Sequence, residues 1–318
     1  MKSFAALAFT GVVSATKIQT TFMEYIIKYG KSYATVEEYN FRLEVFALKD
    51  YQINHHNANN TQWKMGHNKF SDVTETEMQR MLQARGNMPT LEPTYLEVPT
   101  EFTPIDWITA GAVNPIQDQG SCGSCWAFST ICGLEGGHFV ASGELLKFAE
   151  QQLVDCSTEN NGCGGGMSYN GYHYFVTHQP MSEASYPYTA RNGVCQYDSA
   201  NTYNVNTANP WYVTVAYENV DQMKAALALK PLNVSIEASA TSFHQYSSGI
   251  FNDPACGDQH NHATNVVGMG IENGVEYWIM RNSWGTDWGE QGYMRMEITA
   301  DGPGQCGVQM WPIYPLMA

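Results

Sequence analysis

A cysteine lies where a loop rich in glycine and serine meets an apolar segment, a favourable setting for a nucleophilic thiol. The loop begins at Gln117, and Cys125 is followed by Trp126-Ala127-Phe128, the start of a predicted helix. The unpaired N–H groups and the positive dipole end of a helix N-terminus favour the thiolate form of cysteine. The side-chain amide of Gln119, six residues before Cys125, adds a donor for a negatively charged oxygen. These residue types predict attack by sulfur on a carbonyl group.

A cysteine nucleophile needs a base, and His262, 137 residues after Cys125, is our candidate. Asn273-Gly274 separates two apolar runs, which predicts a β-hairpin. His262 precedes the first run and Asn282 follows the second, so both are expected at the open end of the hairpin, with a bulge absorbing their small offset. An asparagine in this place can hold the imidazole in the productive tautomer.

The spacing Cys122-x-x-Cys125 also fits a structural disulfide or half of a zinc site. The chain has no second Cys-x-x-Cys and no His-x-x-x-His pair to complete such a site. We therefore expect neither a metal nor another cofactor.

Two motifs precede the cysteine loop. The first lies along one slowly drifting stripe of a predicted helix and consists of Glu38, Arg42, Phe46, Ile53 and Asn57. The second is the segment Gly66-His67-Asn68-Lys69-Phe70-Ser71-Asp72.

Together with Cys122-Gly123-Ser124-Cys125-Trp126 and Asn282-Ser283-Trp284-Gly285, these motifs resemble a cathepsin L-type proenzyme of the papain family of cysteine proteases. The similarity extends from about Phe22 to Pro315. Lys49 departs from the helical motif, in which an asparagine is expected at this position.

The resemblance implies an α+β architecture: a papain-like two-lobed fold, with a helical lobe and a β-barrel-like lobe, preceded by a helical inhibitory propeptide. We expect a signal peptide at 1–15, the propeptide at 16–98 and the peptidase domain at 99–318. Within that domain the helical lobe is expected at about 108–210 and the strand-rich lobe at about 211–315. The local patterns agree, with helices predicted at 125–141 and 148–155 and strands at 211–216, 234–238, 264–270, 275–280 and 293–298.

The signal peptide is predicted from Lys2, the apolar run Phe4–Val13 and the small residues Val13-Ser14-Ala15. The alternative is a buried N-terminal helix. At the other end of the propeptide, residues 86–99 contain Pro89, Pro93 and Pro99 and form a predicted linker. The resemblance implies that such a segment lies backwards in the substrate cleft, and that the mature chain begins between about Tyr95 and Glu101.

The resemblance also assigns roles in substrate binding. Backbone groups of Gly165 and Gly166 would pair with an extended substrate, and Trp284 would shield the bond between His262 and Asn282 from water. The pocket for the substrate side chain just before the scissile residue would be built from Met167, Ser168, Ser235, His260, Ala263 and Trp311. A small residue is usual where Trp311 stands, so we expect a shallow pocket that disfavours large aromatic side chains, unless Trp311 turns away and packs elsewhere.

Eight cysteines suit an oxidising compartment. The resemblance pairs Cys122 with Cys163, Cys156 with Cys195, and Cys256 with Cys306. Cys125 then remains free as the nucleophile, and Cys132 is expected to be a buried apolar side chain.

The net charge of −15 comes from the C-terminal part, since residues 101–318 hold 6 Lys and Arg against 21 Asp and Glu. Such a surface argues against nucleic acid and anionic membranes as partners, and no run of apolar residues is long enough to span a membrane. We expect a monomer in the secretory pathway, delivered to a lysosome-like acidic vesicle or released. Asn59 lies in a plausible glycosylation sequon, whereas Asn233 lies in one within a predicted core strand.

The predicted function is that of a cysteine endopeptidase made as a zymogen, which hydrolyses peptide and protein substrates through an acyl-enzyme and is inhibited by its own propeptide. The interval from Cys163 to Cys195 has no insertion of the kind that closes the cleft of exopeptidases in the family. The alternatives are a catalytically silent binding protein and a peptide ligase of the same fold.

Overall fold

The computed structural model describes residues 4–84, 86, 91–205 and 207–317. The helices in these ranges are α1 (Phe4–Tyr29), α2 (Val36–Asn59), α3 (Glu75–Met78), α4 (Cys125–Ser142), α5 (Glu150–Cys156), α6 (Ser168–Thr177), α7 (Val220–Leu229) and α8 (Thr241–His244). The strands are β1 (Trp63–Met65), β2 (Ile105–Asp106), β3 (Thr207–Thr214), β4 (Leu232–Ile236), β5 (Tyr246–Phe251), β6 (His262–Glu272), β7 (Val275–Arg281), β8 (Tyr293–Glu297) and β9 (Ile313–Met317). No helix in these ranges combines the length and apolar character that crossing a bilayer requires.

Helices α1 and α2 form an N-terminal unit with a small aromatic core of its own. Phe22, Tyr25 and Phe46 are buried there, and the rings of Phe22 and Phe46 lie 5.1 Å apart. Helix α2 begins after Thr35, whose side chain accepts a hydrogen bond from the backbone N–H of Glu38. This cap satisfies one of the unpaired N–H groups at the start of the helix.

Helix α4 is the centre of the helical lobe. Its first thirteen residues, Cys125 to Gly137, are all buried, and it packs against α5 and α6. The helix ends at Gly143, whose φ of 77° gives the left-handed cap conformation that glycine adopts without strain. Burial on all sides fixes the N-terminal end of α4 firmly in the molecule.

The strand-rich lobe is organised by the hairpin of β6 and β7. Asn273 and Gly274 connect these strands with φ angles of 53° and 82°, as the primed two-residue turn requires. The pairing register shifts between Val266 and Gly268, which is the predicted bulge. The strand order in the sheet is β1-β5-β8-β7-β6-β4-β9-β3, and β2 pairs with β6.

The segment from the end of α2 to Leu82 shares one sheet and one core with the strand-rich lobe. Strand β1 pairs with the edge of β5, and Trp63 packs 4.7 Å from the ring of Phe251. The apolar core of the lobe includes seven buried residues from before the cysteine loop, namely Ile53, Trp63, Met65, Phe70, Met78, Met81 and Leu82. Burial of this much apolar surface binds the N-terminal segment strongly to the lobe.

The architecture confirms the α+β fold, with helices preceding a two-lobed domain. Four strands were not predicted: β1, β2, β5 and β9. The glycine-rich loop contains a 3-10 turn at Gly162–Gly164. Residues 1–3 of the predicted signal peptide and residues 87–90 of the predicted linker lie outside the described residues, so both assignments stay predictions.

Candidate active site

The loop before α4 holds Cys125 at the N-terminus of a buried helix, between the lobes. The disulfide between Cys122 and Cys163 ties this loop to the glycine-rich turn, and Gly123 N–H donates to the carbonyl oxygen of Cys163 at 3.0 Å. Cys125 is a free thiol with no solvent exposure, and burial raises the pKa of its thiol. Backbone hydrogen bonds to the sulfur, first from Ala263, the residue after His262, lower that pKa in part.

His262 and Asn282 meet at the open end of the hairpin. His262 begins β6, Asn282 follows β7, and the His262 Nε2 lies 2.8 Å from the Asn282 Oδ1. An amide oxygen only accepts, so Nε2 carries the proton and Nδ1 presents a lone pair. Nδ1 is buried and has no hydrogen-bond partner within the described part of the chain. The indole of Trp284 stacks 4.8 Å from the imidazole ring and covers this pair.

The electrostatic state of the thiol differs from the thiolate that the helix N-terminus predicts. Burial lowers the pKa of His262 to about 4 and raises that of Cys125, so both groups are neutral near pH 7. The physical reason is desolvation: both side chains are completely buried, and a low-dielectric environment disfavours each charged form.

Gln119 is completely buried between the lobes. Its side-chain Nε2 donates to the carbonyl oxygens of Met81 at 3.1 Å and Cys122 at 2.9 Å, while its Oε1 accepts from the Ser283 hydroxyl at 2.7 Å. The amide is therefore held in one orientation beside the N-terminus of α4.

The cleft beside Cys125 is filled by the chain itself, at residues that the sequence analysis did not single out. Gly166 N–H donates to the carbonyl oxygen of Gln83 at 3.2 Å, and Ala84 N–H donates to that of Asn261 at 2.9 Å. Gln83 and Ala84 also supply backbone hydrogen bonds to the Cys125 sulfur.

The linker therefore does not occupy the cleft in the way we expected. Among the described residues, those in the cleft are 81–84 and Gly86, whereas we expected the segment 86–99 there. Beyond residue 90 the chain lies beside β3, where Thr94 N–H donates to the carbonyl oxygen of Thr214 at 2.7 Å. The predicted linker residues Met88 and Pro89 lie outside the described residues. Gln83 and Ala84 contact the thiol through backbone groups rather than side chains. Their residue types therefore gave no indication in the sequence that they lie in the cleft.

The six residues predicted for the side-chain pocket lie together beside Cys125. Met167, Ser168, Ser235 and Trp311 line one space, and Met167, His260 and Trp311 line a second that opens beside Ala84 and Gly86. Ala263 is buried in the same apolar cluster as Cys125 and Ala84. Gly165 and Gly166 line the opposite side of the cleft.

The motif from Gly66 to Asp72 joins the N-terminal unit to the rest of the chain. Asp72 accepts from Lys31 at 2.8 Å and from the hydroxyls of Tyr25 and Tyr33 at 2.5 and 2.9 Å. Asn68 donates to the carbonyl oxygen of His244 at 2.7 Å. Three further contacts come from this motif and from Asn57: Gly66 N–H donates to the carbonyl oxygen of Gln245, the Asn57 side chain bonds both backbone groups of Met65, and the ring of Phe70 lies 5.2 Å from that of Trp284.

The stripe along α2 makes an ion-pair network. Arg42 forms a bidentate pair with Glu77 at 2.7 Å for both bonds, and its guanidinium also donates to the backbone carbonyl of Asp72. Glu38 lies 4.0 Å from Arg42. Lys49, the departure from the motif, is 5 % exposed and donates to Thr241 at 2.9 Å.

All three disulfides implied by the resemblance are present: Cys122 with Cys163, Cys156 with Cys195, and Cys256 with Cys306. Cys132 is buried and free. Asn233 is 2 % exposed and its amide donates to Ser129, so a glycan does not fit there in the folded chain, whereas Asn59 is exposed. Among the described residues, no three His, Cys, Asp or Glu side chains are arranged to hold a metal ion.

Comparison with known families identifies the class of protein. Residues 101–316 match the family described as papain family cysteine protease, and residues 22–78 match the cathepsin propeptide inhibitor domain. The chain belongs to the papain family of cysteine proteases and carries an inhibitory propeptide, so it is a zymogen.

Individual relatives include a cathepsin L. Cathepsin L of Sarcophaga peregrina is 35 % identical over 336 residues, covering 98 % of this chain and 97 % of the relative. Cysteine proteinase 3 of Solanum lycopersicum is 37 % identical over 317 residues, covering 96 % and 87 %. The solved structure of digestive procathepsin L 3 from Tenebrio molitor larval midgut matches with a TM-score of 0.83 and 32 % identity, covering 94 % of this chain and 99 % of that one. A disulfide-containing protease of this family is consistent with the secretory pathway.

Proposed function

We propose that Cys125 is the nucleophile of an endopeptidase and that His262 is its base. Sulfur attacks the scissile carbonyl carbon, and the resulting oxyanion accepts hydrogen bonds from the Cys125 backbone N–H and the Gln119 amide. As the sulfur attacks, the Nδ1 atom of His262 takes the thiol proton, and it gives this proton to the amine that leaves when the C–N bond breaks. A water molecule, deprotonated by His262, then hydrolyses the acyl-enzyme and releases the thiol. Asn282 holds the imidazole tautomer, supported by the 2.8 Å contact at Nε2.

The observation that carries this proposal is the way the propeptide occupies the cleft. A free thiol lies among donors and acceptors from Gln119, Gly166 and Asn261, and each of these groups bonds a propeptide backbone atom. Backbone recognition of this kind suits an extended peptide of varied sequence, which favours an endopeptidase.

The direction of the propeptide accounts for inhibition without cleavage. Met81 lies at Gln119, Gln83 at Gly166, and Gly86 at the pocket wall formed by Met167. A substrate would enter that pocket with residues N-terminal to its scissile bond, whereas the propeptide enters it with its C-terminal end. We attribute the absence of cleavage to this reversed polarity, because a carbonyl carbon reacts only when it is aligned with the attacking sulfur.

We further propose that residues 16–98 are the propeptide and that the mature chain begins between Tyr95 and Glu101. Residues 97–101 are all exposed, which suits a cleavage site. Activation in an acidic vesicle or after release, as a monomer, is the physiological setting that we propose.

The test compares processing and thiol chemistry in matched cysteine variants of the full chain. Wild type, Cys125→Ser and Cys132→Ala are incubated at pH 4.5, processing is followed by mass spectrometry, and turnover is measured with a fluorogenic peptide. Cys132 is also buried and free, so its variant controls for loss of a buried thiol. We expect wild type and Cys132→Ala to mature and to react with 2,2′-dipyridyl disulfide, and Cys125→Ser to do neither.

Equal maturation of all three chains would assign processing to another protease. A matured wild type with a reactive thiol but no peptide hydrolysis would contradict the endopeptidase proposal and favour peptide ligation or binding.

A further inference from the structure

Trp311 stands between two spaces beside the thiol. On its inner side, among Met167, Ser168 and Ser235, the free volume is about 10 Å³, room for no more than about one water molecule. On its outer side a cleft of about 390 Å³ lies among Met167, His260 and Trp311. The indole lines both spaces and so forms the floor of the outer cleft.

The indole is held in this place by its neighbours. Its ring lies 4.0 Å from the imidazole of His260 in an edge-to-face arrangement, a geometry that stabilises aromatic pairs. The chain continues directly into buried Pro312 and strand β9, which fixes the backbone of Trp311. The indole has therefore not turned away from the pocket.

The two described residues of the peptide that line this cleft are very small. Ala84 and Gly86 line the outer cleft together with Met167 and Trp311. A Cβ atom built on Gly86 would lie 2.5 Å from the Met167 Cγ, so even one added methyl group requires the methionine to move. Of the described residues before the cysteine loop, the two that line this cleft carry only a methyl group and a hydrogen.

We propose that Trp311 restricts this pocket to small side chains, so that the protease selects Ala or Val, rather than Leu, Phe or Arg, at the substrate residue just before the scissile residue. This inference rests on the proposed function, because it assumes that Cys125 attacks peptides bound in this cleft. A larger side chain has to displace the indole or remain in the open cleft with little burial.

The expected discrimination follows from the poor fit of a larger side chain. A single methylene group in an apolar pocket changes kcat/KM by roughly 10- to 200-fold. We therefore expect kcat/KM for Ala or Val to exceed that for Leu and Phe by at least about 10-fold.

The experiment uses self-processed enzyme from the full chain and a panel of fluorogenic dipeptides that differ only in this residue: Gly, Ala, Val, Leu, Phe and Arg. Active enzyme is counted with 2,2′-dipyridyl disulfide, because this reagent has no side chain to enter the pocket. The panel is repeated with Trp311→Ala, and with Trp211→Ala as the control for loss of a tryptophan. Trp211 stacks on His173 at 4.3 Å, away from the cleft.

Trp311→Ala is expected to shift the preference toward Leu and Phe by about 10-fold or more, while Trp211→Ala keeps the wild-type order. Wild type that prefers Leu, Phe or Arg would overturn the proposal, as would an unchanged order in Trp311→Ala. Failure of the proposed function looks different: no thiol reactivity and no turnover of any member of the panel. If Trp311→Ala does not mature, the wild-type panel alone decides.

Discussion

The side-chain amide of Gln119 donates to the carbonyl oxygen of Met81 at 3.1 Å, so the propeptide already uses the group proposed to hold the oxyanion. We therefore expect inhibition in this zymogen to be direct occupation of the proposed catalytic groups, lasting as long as the propeptide stays bound. Four predictions concern the forces that keep it there.

Trp63→Ala should weaken propeptide binding because it removes the largest side chain of β1. Trp63 is 2 % exposed and its Nε1 donates to the carbonyl oxygen of Asn252 at 3.0 Å. Truncating a buried tryptophan costs about 3–5 kcal/mol. The measurement is urea dissociation of the propeptide in a Cys125→Ser background. Tyr51→Ala on the exposed side of α2 is the control, and equal midpoints for the two variants would contradict the prediction.

Asp72→Asn should loosen the N-terminal unit. The carboxylate accepts hydrogen bonds from Lys31, Tyr25 and Tyr33. An amide of the same shape has an NH₂ group in place of one oxygen, and this group faces one of these donors and cannot accept its hydrogen bond. Losing a buried charged acceptor costs about 2–3 kcal/mol. We expect activation to begin at a higher pH than in wild type, measured as the appearance of peptide hydrolysis. Glu44→Gln, an exposed carboxylate on α2, should leave the onset unchanged.

Acid should destabilise the closed zymogen through His262. Burial lowers the pKa of His262 in the closed form to about 4, whereas an uncovered imidazole titrates near its usual 6.5. The closed form is fully favoured above pH 6.5 and loses stability as the pH falls from 6.5 to 4, because only the open form takes up the proton. Over that interval the loss is at most about 3 kcal/mol.

The check is the pH dependence of propeptide stability in Cys125→Ser with and without His262→Asn. Burial also lowers the pKa of His244 and His260, and these residues remain in both chains as the common baseline. The slope between pH 6.5 and 4 should be shallower without His262, and parallel curves would refute its part in the linkage.

Lys49→Met should strengthen the closed state and slow activation. The Lys49 ammonium is buried between α2 and α8, where desolvation lowers its pKa and its hydrogen bond is to a neutral hydroxyl. Removing a buried charge without a close counter-ion while keeping the volume should stabilise the proenzyme by about 1 kcal/mol or more. The rate of self-processing at pH 4.5 reports this, and Lys28→Met at an exposed position of α1 should process as wild type does.

The sequence predicted those features that depend on local spacing. The hairpin turn at Asn273-Gly274, its bulge and the meeting of His262 with Asn282 all follow from a two-residue turn between apolar runs. Strand β5 contains the segment Tyr246-Ser247-Ser248-Gly249, which shows no apolar run next to a turn. This strand is formed by pairing with β1 and β8, which are distant in the sequence. The neutral state of Cys125 and His262 was missed for the same reason: the complete burial of both side chains is a property of the folded zymogen.

The pairing of β1 with β5 has a consequence for the liberated enzyme. When the propeptide leaves, β5 (Tyr246–Phe251) becomes an unpaired edge strand. Exposed edge strands tend to pair with other extended chains. The detached propeptide fits this strand edge best, so it can bind there again until it is digested. Activation of the zymogen should therefore accelerate itself. It should be slow while intact propeptide fragments persist, and fast once the free enzyme has digested them.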